Sequence, residues 1–248
     1  MIARQKIIEH LAEFLNVDMI SDYCVNGLQV EGSETIKKIV TGVSVSQRLF
    51  QAAIDIQADM IIVHHGLFWK STPSPFSLTG VLKHRVKQLL DHNINLAGYH
   101  LPLDAHPVIG NNAQLIQNMG FSVHDPFDAG FIAYLETPIS SDKLKSRLDS
   151  CLPEPSTIFG FKNNTITSLA VISGAGSGGI EQVAQKKLDA LITGEISEPS
   201  IRIAEELGIT LYRAGHYNSE RPGPIALADH LAKYFCIPVE FIDIPNPI

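Results

Sequence analysis

Met60-Ile61-Ile62-Val63-His64-His65-Gly66 is an apolar, largely β-branched run that stops on two histidines. Such a run reads as a buried strand in the middle of a parallel sheet, where helices cover both faces. Side chains alternate along a strand, but where the backbone turns at its end two neighbours can face one crevice. Open α/β sheets bind their ligands at that carboxyl end. The pair is therefore either two metal ligands or two ordinary polar residues closing a strand.

On either side, strand and helix patterns alternate. The spacing predicts a helix over 2–15, a turn into a short strand over 26–32, and a strand over 36–44. A helix over 46–58 follows, with Ser46 as its N-cap. Beyond the histidines, residues 66–77, with Trp69, Pro73 and Pro75, read as a loop. A helix (79–92) and a strand (95–100) come next, and prolines make 100–107 irregular. Gly110-Asn111-Asn112 opens a helix that stops at Gly120. Strands at 131–136, 167–172, 189–193, 209–214 and 238–243 alternate with helices at 140–151, 180–187, 198–207 and 222–235. This is an α/β pattern. The expected organisation is two similar α/β lobes, 1–125 and 126–248, with the C-terminal segment able to pack back on the first.

The chain of 248 residues is 45% hydrophobic and 18% charged, an ordinary globular mixture, with a formal net charge of −7. That charge argues against a nucleic-acid-coating surface. Cys24, Cys151 and Cys236 are scattered and lack metal or disulfide spacing, as free thiols in a reducing cytoplasm would. No apolar run approaches the ~20 residues of a membrane span. A cytoplasmic protein with no membrane partner is the expectation.

The two halves resemble each other. Lys38 to Ser44, a helix, and Ala58 to His65 are matched in order by Leu169 to Ala175, a helix, and Leu188 to Glu195. His65 then corresponds to Glu195, and His100-x-x-x-Asp104 corresponds to His216-x-x-x-Glu220. If the halves pack with these strand ends facing, one crevice receives His64, His65, Asp104, His216 and Glu220, with His100 and Glu195 close by. Three imidazoles and two carboxylates suit divalent first-row ions and exceed one tetrahedral site. Two ions sharing a carboxylate would use them all, lowering the pKa of a shared water and polarising the group it attacks.

Each of these residues has a plainer alternative. His100 fits a supporting role behind the ligands, or a strand-end histidine bonded to a carbonyl. Glu195 is either a supporting acid or a helix N-terminal acid favoured by the dipole. His106, before Pro107, reads as structural, and Trp69 as packing. His10, His84, His92, His124 and His230 read as solvated. Gly174 to Gly179 lacks the lysine of a phosphate loop and reads as a tight turn.

Six ordered motifs together carry a further resemblance. Ser21-Asp-Tyr-x-x-Asn-Gly-Leu-Gln-Val-Glu-Gly32, Ile62-Val-His-His-Gly66, Tyr99-His-Leu-Pro-Leu-Asp104, Gly110-Asn-Asn112, Thr193-Gly-Glu195 and Gly215-His-x-x-x-Glu220 resemble the Nif-three-like family. Its members carry the label GTP cyclohydrolase 1 type 2 homologue. The resemblance implies a two-lobed α/β fold, a dinuclear metal centre and toroidal homohexamers. It also implies that His65 and Asp104 bind one metal, His64 and His216 the other, and Glu220 bridges them. All five positions carry the residue type that the family pattern calls for.

Two functions compete. One is a metal-dependent hydrolase of a nucleotide or another small phosphorylated molecule, with Glu220 and Asp104 positioning the nucleophile and His100 or Glu195 relaying protons. Lys70, Arg213 and Arg221 are the nearest cations for a triphosphate. The other is a non-catalytic, metal-handling or interaction ring. Loss of turnover in Glu220→Gln separates them. His and carboxylate donors accept Zn, Fe, Mn, Co or Ni alike.

Overall fold

A computed structural model describes residues 1–70, 77–163 and 165–248. Residues 71–76, half of the loop expected over 66–77, lie outside the described residues. The chain begins β1 (Ile2–Ala3), α1 (Arg4–Phe14), β2 (Gly27–Val30), β3 (Thr35–Ile36), β4 (Ile39–Ser44), α2 (Gln47–Asp55), β5 (Met60–His65), α3 (Gly80–Asp91), β6 (Asn95–Gly98) and a single turn, α4 (Leu101–Asp104). It continues through α5 (Asn111–Asn118), β7 (Pro126–Phe127), β8 (Gly130–Ile139), α6 (Ser141–Asp149), β9 (Thr157–Gly160), β10 (Ile166–Ile172), α7 (Ile180–Gln185), β11 (Ala190–Thr193), α8 (Glu198–Leu207), β12 (Thr210–Arg213) and α9 (His216–Ser219). Helix α10 (Pro222–Phe235) and β13 (Val239–Phe241) follow. The mixed α/β class is as expected.

The chain forms two compact units, 1–103 with 224–244, and 104–223 with 245–248. The expected division at 125/126 therefore differs from the observed one. That division puts helix α5 in the first lobe, yet its Ala113, Leu115 and Ile116 belong to the apolar core of the second unit, with Phe131, Leu169 and Val171. In the other direction, β13 joins the first unit's sheet through Val239–Phe241 beside Ile39–Thr41.

The first unit holds a five-stranded sheet in the order β13-β4-β5-β6-β2. Its inner strands β4, β5 and β6 are parallel, and β2 closes one edge antiparallel to β6. Ser46 caps α2 as expected, its hydroxyl accepting from the Leu49 amide at 3.1 Å. Helix α2 then presses Leu49, Phe50 and Ala53 onto Val40, Ile61 and Val63.

The second unit holds a six-stranded sheet in the order β7-β8-β10-β11-β12-β9. Strands β10, β11 and β12 are parallel, with β8 and β9 antiparallel on either side. Alternation along its strands feeds two cores. Leu169, Val171, Ala190 and Ile192 face α5 and α6, whereas Ala170, Ile172 and Leu191 pack with Ile180, Val183 and Ala204. Parallel strands thus form the centre of each sheet: β13, β4, β5 and β6 in the first unit, with β2 antiparallel at one edge, and β10, β11 and β12 in the second, with antiparallel strands on both sides.

Candidate functional site

In the first unit, β5 delivers both histidines at its carboxyl end. His64 is fully buried, and its ring centroid lies 4.5 Å from that of His65 and 5.0 Å from that of His100. One ligand nitrogen from each of the three falls within 4.8 Å of the others, a grouping that could hold a metal ion. What fixes the rings is the other nitrogen. His64 Nδ1 donates to the Tyr99 carbonyl at 3.1 Å, and His65 Nδ1 meets the Ser44 hydroxyl at 2.9 Å. His100 Nδ1 lies 3.0 Å from Asp22 Oδ1. Because a carbonyl can only accept, Nδ1 of neutral His64 carries the proton and Nε2 the lone pair. Anchoring one imidazole nitrogen is how ligating histidines are oriented.

Asp22 is the organiser of this cluster. Its carboxylate accepts from the Cys24 amide (2.9 Å), the Asn26 side chain (2.9 Å) and the Leu101 amide (2.8 Å) as well as facing His100. Burial alone would raise its pKa, but the hydrogen bonds from His100, Cys24 and Asn26 outweigh this and hold it well below the usual carboxylate range. Asn26 returns its own oxygen to the His100 amide at 2.8 Å. The Trp69 ring stands edge-on to His100, with centroids 5.2 Å apart, so it packs against the cluster as expected.

In the second unit the donors follow the carboxyl ends of β10, β11 and β12. His216 opens α9, and its Nε2 lies 3.1 Å from Glu220 Oε2. On its far side, His216 Nδ1 hydrogen-bonds the Glu195 carboxylate. Burial would lower the His216 pKa, but Glu220 and Glu195 outweigh it, and the pKa is raised to about 9. Asp104 and Glu220 are both buried and present carboxylate oxygens within 4.8 Å of each other. Asp104 Oδ1 accepts from Asn111 Nδ2 at 2.8 Å and the Ser173 hydroxyl at 3.1 Å. Two buried carboxylates this close repel unless a cation or a proton lies with them.

Gly174 makes this packing possible. A Cβ there would stand 2.3 Å from Glu220 Oε1 and 3.2 Å from His216 Nε2, and the residue adopts φ 60°. The glycine run thus does more than turn the chain: its first member clears space for two donors. Ser219, whose hydroxyl accepts from the Gly174 amide at 3.0 Å, ties the two loops together.

Sequence reasoning singles out His64, His65, His100, Asp104, Glu195, His216 and Glu220. It treats Asp22 and Asn111 only as parts of longer motifs, and assigns no role to Ser44, Ser173 or Ser219. His106 is structural as read, its Nδ1 accepting from the Val108 and Ile109 amides at 3.2 and 3.1 Å. His10 and His230, read as solvated, instead share a hydrogen bond of 2.8 Å between their Nε2 atoms and stack with Phe14 and Tyr234. Cys24, Cys151 and Cys236 are free. Among the described residues no helix is long and apolar enough to cross a membrane.

Fold and donors together define a mixed α/β protein with His, Asp and Glu groups that could hold a metal ion. The chain belongs to the Duf34/NIF3 (NGG1p interacting factor 3) family, whose model matches residues 2–247. A relative from Yersinia pestis, named GTP cyclohydrolase 1 type 2 homolog, is 45% identical over 236 residues, covering 94% of each chain. A solved structure described as protein ybgI, of unknown function, superposes with a TM-score of 0.94 at 41% identity over all of both chains. TTHA1606 from Thermus thermophilus does so with a TM-score of 0.93 at 31% identity, again over all of both chains.

Proposed function

We propose that the protein is a metal-dependent hydrolase of a nucleotide or a related small phosphorylated molecule, using two divalent ions per chain. In this reading His65 and Asp104 would hold one ion, His64 and His216 the other, and Glu220 would serve both. The observation that carries it is that Asp104 and Glu220, both buried in the second unit, present carboxylate oxygens within 4.8 Å of each other, in a group of donors that could hold a metal ion. The Nδ1 atoms of His64 and His65 are held by the Tyr99 carbonyl and the Ser44 hydroxyl, and that of His216 by Glu195, as ligating histidines are commonly oriented.

Bound divalent ions would supply Lewis acidity, lowering the pKa of water and polarising the attacked group. The chain's own residues do the rest. Asp104, braced by Asn111 and Ser173, and Glu220 orient the attacking water. His100, its Nδ1 held by Asp22, moves a proton at Nε2. The name GTP cyclohydrolase 1 type 2 homolog, borne by relatives over 40% identical, supports a nucleotide substrate and ring-opening hydrolysis. A toroidal homohexamer in the cytoplasm belongs to the same proposal.

The test is metal analysis of protein purified without chelators, followed by a nucleotide panel beginning with GTP, on the wild type and Glu220→Gln. Turnover that returns with metal and disappears in the variant is expected. Turnover unchanged in Glu220→Gln refutes the reading, and bound metal without turnover across the panel favours the non-catalytic, metal-handling alternative.

A further inference from the structure

The second unit contains a cavity of about 470 Å³ that shares no residue with the donors described above. Its walls come from three places: Gly120 to His124 after α5, Tyr134 to Ile139 on β8, and Lys143 and Arg147 on α6. Strand β8 runs antiparallel to β10, with Ile139 beside Ile166 and Phe131 beside Val171. The cavity therefore lies toward the amino end of β10, whereas Ser173 and Gly174 follow its carboxyl end.

Its chemistry is specific. Lys143 and Arg147 stand one helical turn apart on the same face, an arrangement of like charges that weakens an isolated helix. The other charged residues of α6 have opposite partners: Asp142 pairs with Lys162 at 2.7 Å, and Lys145 pairs with Asp149. Arg147 is held in place, donating from Nη1 to the Met119 carbonyl at 3.2 Å while its guanidinium lies 4.9 Å from the Phe121 ring centre. Lys143 is exposed and lines the opening. Glu136 is the single carboxylate among the lining residues, against two cations, and the Tyr134 hydroxyl donates to the neighbouring Asp125 carboxylate at 3.4 Å. Beside the cations stands Tyr134, 46% exposed, with the His124 ring edge-on at 5.2 Å. Ser122 and Thr137 add hydroxyl groups.

A cationic pair next to an exposed aromatic ring, in a cavity of this volume, matches an anion that carries a planar ring. We propose that this cavity is a second binding site, taking a nucleoside monophosphate or a close analogue: Lys143 and Arg147 receive the phosphate, and Tyr134 stacks on the base. The site is independent of the metal reading, since neither its residues nor its ligand chemistry requires an ion.

Isothermal titration with AMP, adenosine and inorganic phosphate tests it, on the protein as purified and after chelator treatment. AMP binds more tightly than either half alone, and chelation leaves its affinity unchanged. Lys143→Ala weakens AMP binding by about tenfold or more, as loss of a charge-assisted contact to phosphate requires. Tyr134→Leu weakens AMP and adenosine while sparing phosphate. Arg147 braces the end of α5, so Lys143→Ala, at an exposed position, is the decisive variant; circular dichroism confirms its fold. AMP affinity equal in Lys143→Ala, AMP no tighter than phosphate, or binding that vanishes with the metal overturns the proposal.

Discussion

Replacing Gly174 by alanine tests how closely the donors of the second unit are packed. Two penalties arise. The first is conformational: at φ 60° a Cβ crowds its own backbone, which after allowing for the stiffer unfolded chain costs about 1 kcal/mol. In a chain of this size that is a fall of ~2–4 °C in Tm. The second is local. The new methyl would sit 2.3 Å from Glu220 Oε1, so the carboxylate must retreat by about 1 Å to reach ordinary contact. Gly208 provides the control, because its φ is 72° but nothing lies within 4 Å of the position a Cβ would take. By circular dichroism Gly208→Ala should lose the conformational share alone, and Gly174→Ala at least that much. Only Gly174→Ala should also lose affinity for divalent metal, by about tenfold or more, since even loss of a group behind a ligand costs that much. Elemental analysis after dialysis, with chelator competition for zinc, reads this directly. Equal metal retention in both variants would refute the idea that Gly174 clears space for a ligand.

Two further outcomes follow from the same contacts. Glu195→Gln removes the charge that holds His216 Nδ1, so zinc affinity should fall by about 10–100-fold; an unchanged competition curve would count against that role. Asp22 has a depressed folded pKa, so it stabilises the fold above its ordinary value of 3.8 and loses that contribution as pH falls through the folded value. The acid limb of a stability-versus-pH curve should accordingly flatten in Asp22→Asn, and an identical limb would contradict the contact network drawn for this residue.

Much of the molecule is readable from its residues alone, and the exceptions have physical causes. The Met60–His65 strand and the helices at 198–207 and 222–235 are legible because periodicity and chain breaks agree there. The shared four-residue spacing of His100/Asp104 and His216/Glu220 marks equivalent strand ends. Strand β9 escapes such a reading because Pro153 and Pro155 break the chain just before it and, as an edge strand, it pairs only with β12. The placement of α5 escapes it too, since an apolar stripe shows that a helix is buried, not on which sheet. No local pattern ties Asp22 to His100, 78 residues away. Gly174 looks like any turn glycine, because a close approach by distant side chains leaves no trace in neighbouring residues.

The return of β13 to the first sheet has a consequence for biosynthesis. Strand β4 receives its outer neighbour only after roughly 195 further residues have been made, an interval of ~10–40 s at ordinary translation rates. Until then the nascent chain presents a naked row of amides and carbonyls along Ile39–Thr41, a ready template for a strand from another polypeptide. Truncation before Val239 should leave that liability permanent, so the last few residues of the chain act as a guard against aggregation.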